Sequence, residues 1–263
     1  MATRALRSVR ATRYVTPLRE GGSLPGLIEA DDDGLYVVKF KGAAQGPRAL
    51  VAEILAGELG RALGLPVPEL VLVDVDPSIG DAESDPWVRE LLGQSPGINL
   101  GLDFLPGSLT FDARADGAPD PALAADVVWF DALVTNTDRS PRNPNVLTWH
   151  RRLWLIDHGA SLFIHHTWTD PDAHARRPLS TIGDHVMLPF AGPLESAHGR
   201  LGPLVTEPLL RELVALPPDE WLAPNPAVGG PAEQRSAYVR YLMTRVGSRH
   251  ALVDSIEEVR RAA

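Results

Sequence analysis

Cysteine is absent from the 263-residue chain, which excludes disulfides, thiol nucleophiles and cysteine-ligated zinc together. That absence fits a cytoplasmic protein. Long apolar runs are missing too, and none approaches the roughly 20 residues that cross a bilayer, so no membrane span is expected. Met1 to Arg10 is basic but has no apolar h-region, so no secretion signal is read. The first 18 residues, free of acids and carrying Arg, Ser and Thr, would also suit a transit peptide. A basic excess is lacking: the formal net charge is −9, with no basic stripe, which disfavours direct nucleic-acid binding. No HExxH, GxSxG, GxGxxG or Walker A pattern occurs, and without GxSxG a serine-hydrolase reading has no starting point. No internal repeat is visible. Lysine is scarce: Lys39 and Lys41 are the only two against 23 arginines. Genomic bias toward arginine explains most positions, and it draws attention to the two sites where a compact ammonium remains.

What is present reads as an ordinary globular chain, with 44% hydrophobic and 22% charged residues. Residues 9–17 read as an early edge strand, and Arg19 to Gly26 as a turn-rich loop. Leu27–Glu29 and Leu35–Phe40 form a strand pair around the turn Asp31-Asp-Asp-Gly34. Period two puts Leu35, Val37, Lys39 and Lys41 on one face and Tyr36, Val38 and Phe40 on the other. Pro47 to Leu63 is a helix with Pro in its first turn and Gly64 after it. Its apolar stripe is Leu50, Val51, Ile54, Leu55, Leu59 and Leu63, and Glu53 borders that stripe. A strand from Leu65 to Val75, a short helix near Trp87–Leu92 and a strand and turn over Ile98–Gly107 follow. Then come an apolar helix, Ala122–Val134, a strand at Leu153–Ile156, and a strand or loop at Thr181–Pro189. Helices are expected over 207–216, 232–246 and from 250 onward. The strands lie mainly in the first half and the helices in the second, an α+β layout.

The most informative stretch is Asn136-Thr-Asp-Arg-Ser-Pro-Arg-Asn-Pro-Asn-Val-Leu147. It sets Asp138 on a loop after a helix and Asn143 five residues further on. The strand beyond ends in Asp157-His-Gly159, so a second acid closes a run otherwise too apolar to leave one there casually. One acid to orient a hydroxyl, with an amide oxygen and a second acid to hold a metal, is a set used for phosphoryl transfer from a Mg-nucleotide. Asn145 is an alternative metal ligand to Asn143. Asp131, within the apolar helix, either braces this loop or faces solvent, and a buried acid there would need partners.

The pair Asp-Arg-x-x-x-Asn and Ile-Asp-His-Gly resembles the catalytic and metal loops of HipA-like and phosphatidylinositol 3/4-kinase-like kinases. The likeness to the HipA-like branch extends over most of the chain. It implies a bilobal protein-kinase-like fold with a strand-rich N-lobe (1–105) and a mainly helical C-lobe (106–263), together one domain. It implies Mg-ATP, with ATP and Mg²⁺ as ligands, and γ-phosphoryl transfer to a hydroxyl acceptor, a protein Ser/Thr being favoured over a lipid or small molecule. In that scheme Lys39 holds the α/β-phosphates and Glu53 holds Lys39, with Glu58 as the rival acid. Asp138 positions the hydroxyl, Asn143 and Asp157 bind Mg²⁺, and Arg142 neutralises the transferring phosphate while Arg139 is structural. Gly22 and Ser23 belong to a loop that covers phosphates through backbone N–H groups, or else is a plain surface turn. Asp103, Phe104 and Leu105 form the hinge that meets adenine, mostly by main chain. The chain departs from both families at Ser140, where they carry histidine two places after the acid. An alternative is therefore a catalytically weak or inactive nucleotide-binding pseudokinase with a regulatory role. A further alternative is a metal-dependent hydrolase built on His158, His165, His166 and His185 with Asp138 and Asp157.

Overall fold

The computed structural model describes residues 4–18, 24–43, 45–81 and 83–262. The N-terminal region runs β1 (Arg7–Pro17), β2 (Gly26–Ala30), β3 (Leu35–Lys39), α1 (Gly46–Ala62), β4 (Leu70–Val75), α2 (Pro86–Gly93) and β5 (Gly97–Asp103). The five strands close into a barrel in the order β1-β2-β3-β5-β4, sealed by the parallel pairing of Arg7–Arg10 with Val71–Asp74. This corrects the edge-strand expectation for β1, which is paired on both sides. Its Arg and Thr residues lie on the solvated outside of a small barrel, while Val9 and Ala11 point inward. Polar side chains on a strand thus mark an exposed face here and not an unpaired edge.

The hairpin between β2 and β3 turns on left-handed Asp33 (φ +61°), and the Gly34 N–H donates to Asp32 Oδ1 at 3.0 Å. The expected alternation holds: Tyr36, Val38 and Phe40 are buried in the barrel, and Lys39 faces the other way. Gly101 on β5 lies where the barrel is tightly packed, since a Cβ there would sit 2.7 Å from Val73 Cγ2. The fourth strand starts at Leu70, later than expected, because Pro66 and Pro68 keep the approach out of the ladder.

α1 is not the amphipathic surface helix that its stripe suggests. Every residue from Leu50 to Gly60 is buried, both glutamates included, because the helix lies between the barrel and the C-terminal helices. Close packing is allowed at Gly60, where a Cβ would come within 3.2 Å of Val67 and 3.3 Å of Phe130.

The C-terminal region holds a small sheet, β6 (Leu109–Thr110), β7 (Val146–Trp149) and β8 (Arg152–Leu155), in sequence order. It also holds α3 (Ala113–Asp116), α4 (Pro121–Val134), α5 (Pro171–Arg176), α6 (Leu194–Leu201), α7 (Glu207–Val214), α8 (Pro231–Val246) and α9 (Ser255–Ala262). A turn of π-helix at His250–Asp254 leads into α9. The stretch 181–189 forms two short 3-10 turns, Ile182–Asp184 and Leu188–Phe190. Of the two expectations for this stretch, strand or loop, it is the loop that forms, and the chain there folds on itself. α6 has no counterpart in the sequence reading. One apolar core fills the barrel, and a larger one runs from α1 through α4 into the C-terminal helices. No described helix is long and apolar enough to cross a membrane.

Candidate active site

A cleft of about 1480 Å³ lies where the barrel meets the helical region. Lys39 (β3), Leu105 (after β5), Asp138 and Asn143 (after α4) and Asp157 (after β8) all line it. These residues are far apart in sequence and come together only through the fold.

The loop after α4 is shaped by local chemistry. The helix ends at Thr135, a β-branched residue held left-handed (φ +54°), and the N–H groups of Thr135 and Asn136 both donate to the Asp131 carbonyl. Left-handed φ is costly for such a residue. Asn136 Oδ1 accepts the Asp138 N–H at 3.1 Å, an Asx turn that aims the acid. Ser140 and Asn143 exchange two backbone hydrogen bonds of 3.0 and 3.1 Å. The Asp138 carboxylate accepts from Asn143 Nδ2 at 2.9 Å and Asn145 Nδ2 at 3.3 Å. Asn145, the alternative ligand, is buried, left-handed (φ +48°) and also donates to the Asp138 carbonyl at 2.7 Å. It holds the loop from a buried position and also lines the cleft, where Asn143 is exposed.

Beneath the loop Asp131 is fully buried and faces no solvent. Its carboxylate accepts from Arg139, from Asn136 Nδ2 at 3.0 Å and from His185 Nε2 at 2.9 Å. Burial pushes this carboxyl up, but the Arg139 guanidinium and His185 outweigh it and hold it well below the usual carboxylate range. Arg139 also donates to the carbonyls of Asn145 and Ile156 and so joins the loop to the segment after β8 that carries Asp157. Its structural assignment is met. His185 entered the sequence reading only as a metal-ligand candidate, because nothing local links it to an acid 54 positions earlier.

Above the loop Lys39 Nζ donates to Glu53 Oε2 at 2.7 Å and to Asp157 Oδ1 at 2.6 Å. Burial pushes the Lys39 ammonium down, and the carboxylates of Glu53 and Asp157 more than reverse this, so its affinity for the proton is raised. Burial likewise pushes Glu53 up, and Lys39, then His158, hold it well below the ordinary range. Glu58, the rival, is taken by Arg4 and Arg61. Asp157 is left-handed (φ +54°), and its side chain is 40% exposed, so one end of this network opens to the cleft.

The remaining expected residues fall out unevenly. Asp103, Phe104 and Leu105 line the cleft, but the Asp103 N–H is spent on the Glu69 carbonyl (2.9 Å) and the Phe104 N–H on the Leu35 carbonyl (3.0 Å). Gly22 and Ser23 lie outside the described residues. The flanks of their loop are tied by Leu18 N–H to the Pro25 carbonyl at 2.8 Å, and both flanks line the cleft. Arg142 is exposed and does not line the cleft.

The histidine-metal reading is corrected. His158 faces Glu53, His185 binds Asp131, and His165 bonds Tyr238 and His166. Among the described residues no group of three His, Cys, Asp or Glu side chains could hold a metal ion. Burial also drives His165 down to about 3.

The pattern of the HipA-like kinase family matches residues 12–250. This chain belongs to the HipA-like kinases. It is a kinase, a phosphotransferase by class. Among solved structures it is similar to the crystal structure of CtkA, a proinflammatory kinase of Helicobacter pylori. The TM-score is 0.52 at 14% identity, over 99% of this chain and 98% of that one, a likeness of fold. Comparison with curated proteins gives no match.

Proposed function

We propose that this kinase moves the γ-phosphoryl group of Mg-ATP to a hydroxyl, most readily a Ser/Thr of a protein, in a cleft between an N-lobe (1–105) and a C-lobe (106–263). The observation that carries the reading is Lys39, bonded at once to Glu53 on α1 and to Asp157, 118 positions away, in the cleft that Asp138 and Asn143 also line. Lys39 would lie along the α/β-phosphates with Glu53 holding it. Asp138, aimed by Asn136 and Asn145, would accept or orient the proton of the attacking hydroxyl.

The donor set fits Mg²⁺. Asp157 and Asn143 offer hard oxygens, and the Asn143 amide donates to Asp138 through Nδ2, which leaves its oxygen for a cation. Two protein oxygens completed by phosphate oxygens and water suit Mg²⁺ better than a full protein cage does. Bound there, Mg²⁺ would neutralise charge on the transferring phosphate. At the hinge the Leu105 N–H has no protein acceptor among the described residues, so it is the donor we assign to the adenine ring. Gly22 and Ser23 keep their proposed place over the phosphates, on the strength of the flanks of their loop. Arg142 receives no part, since it sits outside the cleft lining.

The test is ATP calorimetry with and without Mg²⁺ on wild type and Asp157→Asn. Mg-dependent binding lost in the variant is expected, and no binding in either protein overturns the reading. A nucleotide-binding pseudokinase remains the second reading, because Ser140 contributes main-chain bonds and no ring beside Asp138. Binding without hydrolysis or transfer would select it.

A further inference from the structure

Behind the Lys39 site, three buried polar atoms take no hydrogen bond among the described residues: Glu53 Oε1 and both ring nitrogens of His158. They are gathered at one point. His158 Nδ1 stands 3.6 Å from Glu53 Oε1, and the residue is fully buried. A buried polar atom without a partner is destabilising, and native proteins hold few of them. His158 is also well fixed. Its ring packs edge-on against Phe130 of α4, with centroids 6.0 Å apart and planes at 78°. Asp157 and Gly159 line the cleft and His158 does not, so the ring lies behind the wall that the two flanking residues form.

The two oxygens of Glu53 are therefore unequal. Oε2 holds Lys39, and Oε1 points toward an imidazole just beyond bonding distance. Lys39 is shared between Glu53 and Asp157 at 2.7 and 2.6 Å. When the ammonium turns from Asp157 to a phosphate, Glu53 is its remaining anchor, and a carboxylate gripped at one oxygen can pivot. We propose that His158 is a positioning residue for Lys39: its Nδ1–H closes onto Glu53 Oε1, so the carboxylate is gripped at both oxygens while Lys39 moves onto nucleotide. Phenylalanine at this place would pack on Phe130 equally well but donate nothing. The inference rests on the kinase reading of the Lys39–Glu53 pair.

The experiment combines a double-mutant cycle with a ring spectrum. Turnover of Mg-ATP, followed as hydrolysis, is measured for wild type, His158→Phe, Glu53→Gln and the double variant, with His158→Asn as the conservative replacement. The asparagine amide reaches roughly where Nδ1 stood. The expected result is about a tenfold fall in kcat/KM for ATP in His158→Phe, the loss of one charge-assisted hydrogen bond. His158→Asn should recover most of it, and His158→Phe should cost nothing further once Glu53→Gln is present. In the nucleotide-free protein the ¹⁵N spectrum of the His158 ring should show the proton on Nδ1 and change in Glu53→Gln. Wild-type turnover in His158→Phe beside an impaired Glu53→Gln overturns the proposal and leaves the kinase reading intact. Glu53→Gln turning over like wild type overturns the kinase role of the pair, whatever the ring shows. If His158→Phe does not fold, a proton found on Nε2 in wild type is enough to sink the positioning role.

Discussion

Two ionic clusters flank the loop that carries Asp138, and they are built to opposite standards. The lower one, Asp131–Arg139–His185, is sealed: Asp131 is fully buried and takes donors from three side chains, and Arg139 Nη1 donates to two carbonyls. The upper one, Lys39–Glu53–Asp157, is open at the Asp157 end and unfinished at Glu53 Oε1. A saturated buried network has one good arrangement and serves as a scaffold. A cluster with one exposed partner and one unused oxygen can exchange partners, which a site that must accept a nucleotide requires. Networks of acid and base side chains are thus sealed below the loop and left open to the cleft above it, and the difference lies in solvent access and donor count.

That contrast is sharpest for Asp138, which belongs to neither cluster. Asp138→Asn should lower phosphoryl transfer by about 10²–10⁴-fold while ATP still binds and the thermal midpoint hardly moves. Full activity in this variant removes Asp138 as the base. The scaffold is broken by Asp131→Ala, which leaves Arg139 buried without its counter-ion. Removing one partner of a buried pair costs about 3–5 kcal/mol, to be read from denaturant unfolding. If the variant keeps wild-type stability, the lower cluster is not a scaffold. Breaking the upper cluster should show in catalysis first: Lys39→Met should cut transfer about 100-fold or more and shift stability less than Asp131→Ala does.

A smaller effect concerns pH. The folded protein holds His165 near 3, below the ordinary imidazole value. Its proton therefore binds the unfolded chain more readily, and the stability it contributes is present above about pH 6.5 and is lost as pH falls toward 3. Between those values unfolding free energy should fall by up to about 1.4 kcal/mol per pH unit on this account, and the slope should flatten in His165→Gln. An unchanged slope would detach His165 from acid stability. The smallest expected effect is Ser140→His. Ser140 holds its turn mainly through main-chain bonds to Asn143, so activity should change less than about threefold, by order of magnitude. A tenfold gain would instead mark the wild type as a weakened kinase.

Much of this was legible in the residues. The β2–β3 hairpin, the facing of Lys39, α1, α4 and the spacing Asp138–Asn143–Asp157 follow from periodicity, turn chemistry and short-range motif, all local properties. The choice of Glu53 over Glu58 was foreshadowed by order along the chain, but it became geometry only through the Lys39–Glu53 bond and the pairing of Glu58 with Arg4 and Arg61. Asn143 and Asn145 have the same chemistry two positions apart and both line the cleft, and only the packed structure leaves one exposed there and buries the other, left-handed, in the loop. Closure of the barrel, the bond from His185 to Asp131 and the approach of His158 to Glu53 depend on residues tens of positions apart. No local pattern encodes such pairs, since they form when separate elements pack and buried polar groups must find whatever partners packing supplies. By itself, then, the sequence determined the local elements and the chemistry each one carries. The tertiary structure decided which of those groups are sealed as framework and which are left open to a ligand, because burial and donor count are properties of the packed whole.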